Sequence, residues 1–208
     1  MNPKIILAGG VVVVVGALIV IGLFNKKDTK NTMDENIEAT TTVATAGANP
    51  VAVVETNQGT FEVELALDQM PVTADNFIKL AKAGFYDGTR FHRIIKDFMI
   101  QGGDPLSNDV GASARWGTGG PGYAITDEFG AGQSNGRGTI SMANSGPNSG
   151  GSQFFINLVD NTYLDGKHPV FGKVVKGSEV VDKIGNLPTA PGDRPAEEVV
   201  VNKITIRD

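Results

Sequence analysis

The sequence predicts a mainly β protein, an antiparallel barrel or sandwich with two short helices, preceded by one membrane-spanning helix. Short runs of alternating apolar and polar residues begin at Val51 and recur almost to the carboxyl terminus. Most of the 27 glycines lie between these runs, as the turns of an antiparallel sheet require. A long uncharged run near the amino terminus does not share this pattern. We therefore expect an amino-terminal segment followed by one folded domain.

The composition is that of a globular protein. Hydrophobic residues make up 40% and charged residues 20% of the 208 residues, which suits a buried core with a solvated surface. The net charge of -5 offers no basic surface for phosphates, so nucleic acid is not an expected partner. The absence of cysteine excludes disulfides and thiolate chemistry, and His92 and His168 come without metal-ligand spacing. We expect no cofactor and no metal.

The amino-terminal segment predicts a membrane anchor. After the short flank of residues 1–4, Ile5–Phe24 gives twenty consecutive uncharged, mostly apolar residues. At about 1.5 Å per residue, a helix of this length crosses the roughly 30 Å hydrocarbon core of a bilayer. A cleaved signal peptide is the alternative, but Asn25 and two lysines follow the run where a small-residue cleavage site would stand. We favour an uncleaved single-pass anchor.

Residues 25–50 predict a flexible polar linker, because they contain almost no large apolar residues. As a flexible coil, this linker would reach roughly 25–30 Å. Its lysines, compared with the single Lys4 on the other flank, place the folded domain inside the cell by the charge rule. The threonine run Thr40–Thr42 instead resembles exported tethers, and on that basis we expect an extracytoplasmic domain.

Eight strands and two helices are predicted in residues 51–208. Asn57-Gln58-Gly59 indicates a tight hairpin between the first two strands. Helical spacing appears at Pro71–Ala83, with Val72, Phe77, Leu80 and Ala81 on one side, and at Ser178–Ile184 with Ser178 as N-cap. The predicted strands are Val51–Glu55, Phe61–Leu67, Phe91–Ile95, Phe98–Gln101, Thr139–Ala143, Phe154–Leu158, Val170–Val175 and Val199–Ile206.

Common catalytic motifs give no alternative function. The run Gly117–Gly122 matches a dinucleotide-binding pattern, yet no apolar strand precedes it and Pro121 stands where a helix should begin. The sequence also has no Walker lysine and no zinc-protease helix motif. Nucleotide-binding and zinc-protease classes therefore lose support.

Two strands carry polar residues where an apolar face is expected. In Phe91–Ile95 the period of two places either His92 or Arg93 on the buried face, so one of them must line a cleft or be paired. In Gln153–Leu158 alternate residues form an apolar face and a mixed face of Gln153, Phe155 and Asn157. The mixed face is typical of a binding surface, although interior hydrogen bonding or a solvated exterior is the simpler explanation of each feature taken alone.

Five ordered blocks together resemble the cyclophilins, over residues 51–208. The blocks are Phe91–Ile95, Phe98–Asp104, Ser141–Asn144, Gly151–Ile156 and Leu164–His168. The resemblance implies an eight-stranded antiparallel barrel capped by two helices, with peptidyl-prolyl cis-trans isomerase activity on proline-containing peptides and unfolded or folding proteins. The loop Leu106–Trp116 is similar to that of prokaryotic members. We expect a monomeric catalytic domain.

The resemblance also assigns site residues. It implies that Arg93 is the catalytic arginine and that Gln101 holds its guanidinium and substrate backbone. Substrate binding falls on Phe98, Met99, Ala143, Asn144, Gln153, Phe155, Leu164 and His168, and on Tyr163, where many members have tryptophan. Two alternatives remain: a cyclophilin-like module or chaperone that binds proline segments without isomerising them, and an unrelated ligand-binding barrel.

Overall fold

Ten strands and two α-helices form within residues 49–208, the part of the chain that the computed structural model describes. The expected membrane span, Ile5–Phe24, and residues 25–48 of the expected linker lie outside the described residues. No helix among residues 49–208 is long and apolar enough to cross a membrane. The elements are β1 (Val51–Thr56), β2 (Gly59–Leu65), α1 (Pro71–Lys82), β3 (Arg93–Ile95), β4 (Met99–Gly102), β5 (Thr139–Met142), β6 (Phe154–Asn157), β7 (Val170–Lys176), α2 (Ser178–Gly185), β8 (Thr189–Ala190), β9 (Arg194–Pro195) and β10 (Val201–Arg207).

Eight of these strands form one antiparallel sheet that curves into a half-barrel. Its order is β10-β1-β2-β7-β5-β6-β4-β3, and β8 pairs separately with β9. The two edges of the large sheet are joined by the segments before β3 and β10, where the amide of Phe91 donates to the carbonyl of Val199 at 2.9 Å and that of Val201 donates to Thr89 at 2.8 Å. The predicted mainly β antiparallel architecture is confirmed, and the hairpin between β1 and β2 turns through Asn57 and Gln58 as expected.

The core lies between the sheet and the helices. Phe77 of α1 meets the ring of Phe154 edge-on, with ring centroids 5.5 Å apart, and Tyr86 packs on the same ring at 5.7 Å. These aromatic side chains are at most 1% exposed. Their edge-to-face geometry and buried apolar area hold α1 against the sheet. α2 contacts β2, β3 and β4.

Two details of the predicted helices are wrong. Val72 is 47% exposed: the expected Phe77, Leu80 and Ala81 are buried, but the stripe continues through Ala74 rather than Val72. Ser178 is the first residue of α2 rather than its N-cap; the cap position is Gly177, with a left-handed φ of 76°. Only glycine fits at Gly177, since a β-carbon there would collide with the Thr60 carbonyl and Phe61.

The loop predicted at Leu106–Trp116 folds into two 3-10 helices, Pro105–Asn108 and Val110–Arg115. The side chains of Asp104 and Asp109 cap them by accepting from the amides of Leu106 and Gly111, both at 2.8 Å. Trp116 closes the loop by donating its indole N–H to the carbonyl of Asp109 at 3.0 Å. The glycine-rich run 117–122 follows directly and enters the site described next.

Candidate active site

A row of cross-strand neighbours places the polar residues of the site on the outer face of the half-barrel. Arg93 of β3 stands opposite Gln101 of β4, which stands opposite Phe155 of β6, which in turn stands opposite Ser141 of β5. Residues directly opposite each other in an antiparallel sheet share one face. Their neighbours Ile94, Ile100 and Ile156 therefore point into the core, where each is at most 1% exposed.

The guanidinium of Arg93 is held at two of its nitrogens. Nη1 donates to Oε1 of Gln101 at 3.5 Å, and Nε donates to Oδ2 of Asp193 at 3.3 Å. The Arg93 side chain is 42% exposed. Among residues 49–208, Nη2 has no hydrogen-bond partner. Arg93 can therefore donate to a further acceptor without breaking the contacts that orient it.

Beside Arg93 lies a cavity of about 230 Å³ with both apolar and polar walls, large enough for one small ring. Met99 and Phe155 are 2% and 5% exposed, so most of their surface faces protein. The structure brings together nine of the eleven site residues expected from the sequence, which line this cavity: Arg93, Phe98, Met99, Gln101, Ala143, Asn144, Phe155, Leu164 and His168.

His168 forms one wall of the cavity. Its ring meets that of Phe155 edge-on, with centroids 5.4 Å apart, and its Nδ1 lies 3.1 Å from the carbonyl oxygen of Met142. A carbonyl can only accept, so Nδ1 carries a proton and donates it. The two contacts fix the orientation of the ring as part of the wall.

The remaining two expected residues lie at the margins of the cavity. Tyr163 is 61% exposed and stacks on Phe98, with ring centroids 6.3 Å apart. It therefore covers the outer side of Phe98, which lines the cavity. Gln153 lies in an adjoining groove of about 760 Å³, which also contains the glycine-rich run and shares Gln101, Ala143 and Asn144 with the cavity. Cavity and groove together form one continuous depression.

Hydrogen bonds across the groove orient Gln101. Its amide nitrogen donates to Oε1 of Gln153 at 3.0 Å, and the amide nitrogen of Gln153 donates to the carbonyl of Gly119 at 2.8 Å. These two hydrogen bonds leave Oε1 of Gln101 facing Arg93. The glycine-rich run thus contributes to the arginine site through a backbone carbonyl, a role that its motif did not indicate.

A buried polar network, which the sequence did not reveal, lies behind the cavity. Asn157, expected on a binding surface, is only 1% exposed and donates to Oγ1 of Thr139 at 2.9 Å. Asn161 donates to Oδ1 of Asn157 at 2.8 Å and to the carbonyl of the wall residue Phe98 at 2.9 Å. The sequence places Asn157 on the mixed face of its strand and did not indicate burial, because Thr139 and Phe98, which complete the network, lie 18 residues from Asn157 and 63 residues from Asn161.

Asn135 joins this network to the opposite wall. It donates to Oδ1 of Asp165 at 3.0 Å and to the carbonyl of His168 at 3.3 Å. Its own oxygen accepts from Oγ of Ser141 at 2.8 Å. The backbone amide and side chain of Asn135, together with Ser134, lower the pKa of the Asp165 carboxyl. The walls carrying Phe98 and His168 are therefore connected through buried side chains.

His92 is buried but lies outside the cavity. It is 4% exposed, and neither ring nitrogen has a hydrogen-bond partner in the described part of the chain. Of the two residues His92 and Arg93, Arg93 is the one that lines a cleft and is paired, which meets the expectation that one of them must do so. Burial lowers the pKa of His92, since the charged imidazolium would lose its hydration. Within residues 49–208, no group of three or more histidine or acidic side chains could hold a metal ion.

Comparison with known proteins gives one family. The profile of the cyclophilin type peptidyl-prolyl cis-trans isomerases matches residues 51–206. Peptidyl-prolyl cis-trans isomerase-like 1 of Neurospora crassa is 49% identical over 154 residues, covering 74% of this chain and 91% of the relative. The isomerase CYP18-1 of Arabidopsis thaliana is 46% identical over 154 residues, covering 74% and 93%.

Solved structures agree with this comparison. The crystal structure of a cyclophilin type isomerase from Cryptosporidium parvum superimposes with a TM-score of 0.70 at 34% identity, covering 76% of this chain and 97% of the other. A second crystal structure of that isomerase, in the presence of the dipeptide Ala-Pro, gives a TM-score of 0.69. None of these relatives tests the expected likeness to prokaryotic members.

Proposed function

The chain belongs to the cyclophilin-type peptidyl-prolyl cis-trans isomerase family, and from that premise we propose that Arg93 drives its reaction, rotation about Xaa-Pro peptide bonds. The observation that carries this proposal is a half-buried guanidinium at the rim of a cavity with several apolar walls, whose Nη2 has no hydrogen-bond partner among residues 49–208. Gln101 acts with Arg93 by accepting from Nη1, and its own amide is oriented by Gln153.

The chemistry that this site must perform is the weakening of amide resonance. Rotation about a peptide bond is opposed by about 18–20 kcal/mol, because the nitrogen lone pair is delocalised into the carbonyl. As the bond twists, the proline nitrogen becomes pyramidal and regains a lone pair that can accept a hydrogen bond. A donor fixed at that position stabilises the twisted state more than either planar state, which lowers the barrier. Arg93 is that donor.

The cavity supplies the fixed half of the substrate. Met99 and Phe155 form its floor, and burial of the proline ring there holds the ring while the preceding residues rotate. The amide of Ala143 already donates to the carbonyl of Gln153 at 3.0 Å, so substrate main chain would pair with the Ala143 carbonyl and with Asn144. The crystal of the Cryptosporidium parvum isomerase with Ala-Pro supports a proline-containing ligand here.

Arginine suits this role better than lysine. Its guanidinium stays protonated at any working pH and offers donors in a fixed fork, so Asp193 and Gln101 can orient it while Nη2 serves the substrate. No proton transfer to or from a side chain is required. His168, with Nδ1–H committed to Met142, acts as a wall rather than as a general base.

Arg93→Ala tests this proposal in a protease-coupled isomerisation assay on a short Xaa-Pro peptide. We expect kcat/KM to fall by about 10²-fold or more, as on removal of a donor that acts mainly in the transition state. Arg93→Lys should recover little of the lost activity, since a lysine ammonium group cannot reproduce the planar arrangement of guanidinium donors. Arg115→Ala, at an exposed arginine of the second 3-10 helix, is the matched control and should keep wild-type activity.

Two outcomes would refute parts of this reading. A folded Arg93→Ala protein, judged by circular dichroism, with near wild-type kcat/KM would remove Arg93 from the mechanism. A wild-type protein that binds proline peptides without accelerating their isomerisation would instead identify a non-catalytic proline-binding or chaperone module.

We further propose that the isomerase works at a membrane, where it assists folding of exported proteins. The support is in the sequence: an uncharged span at Ile5–Phe24, a polar linker over residues 25–50 and a domain that starts at Val51. The threonine-rich linker favours an extracytoplasmic domain. A monomeric catalytic domain and the likeness of its loop at Leu106–Trp116 to prokaryotic members belong to the same proposal.

A further inference from the structure

A short hairpin distant in sequence lies against the Arg93 site. β8 and β9 pair through Ala190 and Arg194, and the turn between them carries Asp193, whose carboxylate meets Nε of Arg93 at 3.3 Å. We propose that Asp193 is a positioning residue that holds the guanidinium of Arg93 in its productive orientation. This inference rests on the proposed role of Arg93 in catalysis.

Asp193 and Gln101 constrain Arg93 from two edges. The carboxylate of Asp193 accepts from Nε, whereas Gln101 accepts from Nη1 at 3.5 Å. A single acceptor would leave the planar group free to swing about that contact. Two acceptors at different nitrogens fix both the plane and the direction of Nη2. The long, weak contact to Gln101 cannot do this alone, so the charged partner carries most of the orientation.

The backbone of Asp193 is itself fixed next to Arg93. Its carbonyl accepts from the amide of Ile94, the residue after Arg93, at 2.7 Å. Its φ of 60° lies in the left-handed region, which aspartate and asparagine tolerate better than most residues. The position of the Asp193 carboxylate is therefore set by the backbone hydrogen bond to β3 and by the conformation of the turn.

The far side of the hairpin is anchored independently. Arg194 donates to the carbonyl of Ser113 and lies over the ring of Trp116, with 5.3 Å from its guanidinium carbon to the ring centroid. The amide of Ala196 donates to the carbonyl of Pro188 at 2.8 Å. Because these contacts do not involve Arg93, the hairpin should stay folded when the Asp193 side chain is removed.

The role of the carboxylate is to preorganise a flexible side chain. Arginine has many rotamers, and the Arg93 and Asp193 side chains are 42% and 46% exposed. Without Asp193 the guanidinium would spend much of its time directed into solvent, and substrate turnover would include the cost of bringing it back. Because both side chains are partly exposed, solvent screens the ion pair between Arg93 and Asp193. We therefore expect its loss to cause a moderate decrease in kcat/KM.

Asp193→Gly and Asp193→Asn provide the test. Glycine and asparagine both accept the positive φ, and only asparagine keeps an oxygen that can accept from Nε. We expect kcat/KM to fall about fivefold in Asp193→Gly and no more than about twofold in Asp193→Asn. Affinity for a proline peptide should stay within about twofold of wild type in both, because the cavity walls are untouched. Ala190→Gly, in exposed β8, loosens the same hairpin while keeping the carboxylate, and should keep wild-type activity.

A double-mutant cycle separates this inference from the proposed function. In an Arg93→Ala background, adding Asp193→Gly should change kcat/KM by less than about 1.5-fold, because the carboxylate then has no guanidinium to hold. In the wild-type background, the Nε–H resonance of Arg93 should lose its protection from solvent exchange in Asp193→Gly and keep it in Ala190→Gly.

Three results would overturn the inference. They are a kcat/KM in Asp193→Gly equal to or above that of wild type, an Ala190→Gly loss as large as that of Asp193→Gly, and an equal loss with and without Arg93. If Arg93→Ala alone keeps full activity, the proposed function fails first. If Arg93→Ala is inactive while Asp193→Gly is normal, only the positioning role fails.

Discussion

Asn135→Ala should destabilise the domain and loosen the cavity at the same time. Asn135 is 1% exposed, and its side chain contacts four groups: Oγ of Ser141, Nδ2 of Asn157, a carboxylate oxygen of Asp165 and the carbonyl of His168. Alanine removes all four bonds at once. The buried groups left without a partner then determine the size of the effect.

The magnitude follows from those groups. The Ser141 hydroxyl is 0% exposed and loses its acceptor, and the His168 carbonyl loses a donor. Each buried group left unsatisfied costs about 1–3 kcal/mol. Asp165 adds little, because it is exposed and keeps its bonds to the backbone amide of Asn135 and to Ser134. We expect a loss of about 3 kcal/mol in the free energy of unfolding, a large part of the 5–15 kcal/mol typical of a domain.

Urea unfolding and the isomerisation assay together check this prediction. Asn186→Ala is the matched control: its amide donates to the Asp182 carbonyl at 2.8 Å, but in an exposed position, so we expect a loss below about 1 kcal/mol and unchanged activity. Asn135→Ala should lower kcat/KM as well, since the His168 wall loses its support. A change in unfolding free energy below 1 kcal/mol for Asn135→Ala would show that the network does not stabilise the wall as argued.

Two further predictions concern the rest of the chain. Burial lowers the pKa of His92, so the unfolded chain binds a proton at this residue more tightly than the folded protein does. The free energy of unfolding should therefore be unaffected by His92 above about pH 6.5 and should fall as the pH drops below that value. His92→Leu should reduce this dependence of the unfolding free energy on pH by up to about 1.4 kcal/mol per pH unit. An unchanged slope in His92→Leu would contradict the assignment. A chain that begins at Asn49, which keeps the bond from the Leu65 amide to the Pro50 carbonyl at 2.8 Å, should be soluble, monomeric and fully active on short peptides, whereas the full chain should partition into membranes. Loss of activity or solubility on this truncation would make the linker part of the fold.

The elements that depend on local pattern were predictable from the sequence. Alternation gave the eight main strands, and Asn57-Gln58-Gly59 gave the hairpin that pairs Thr56 with Gly59. One predicted detail failed because exposure depends on distant partners: Val72 lies off the buried stripe of α1, and its amide donates to Glu128, 56 residues away. The β8–β9 sheet was missed, because two-residue strands carry too little alternation to be recognised.

The active site likewise combines features that the sequence predicted and features that only the structure revealed. The resemblance of the ordered blocks to the cyclophilins identified nine residues that line one cavity in the structure. The sequence by itself thus determined the family, the strand pattern and the catalytic candidates Arg93 and Gln101. Only the tertiary structure decided that Asn157 is buried in a polar network, that the His92 ring nitrogens have no hydrogen-bond partner within residues 49–208, and that Asp193 meets Arg93 across 100 residues of chain. The physical reason is that a side chain's partners depend on strand register and on long-range closure of the sheet, which no local period of apolar residues encodes.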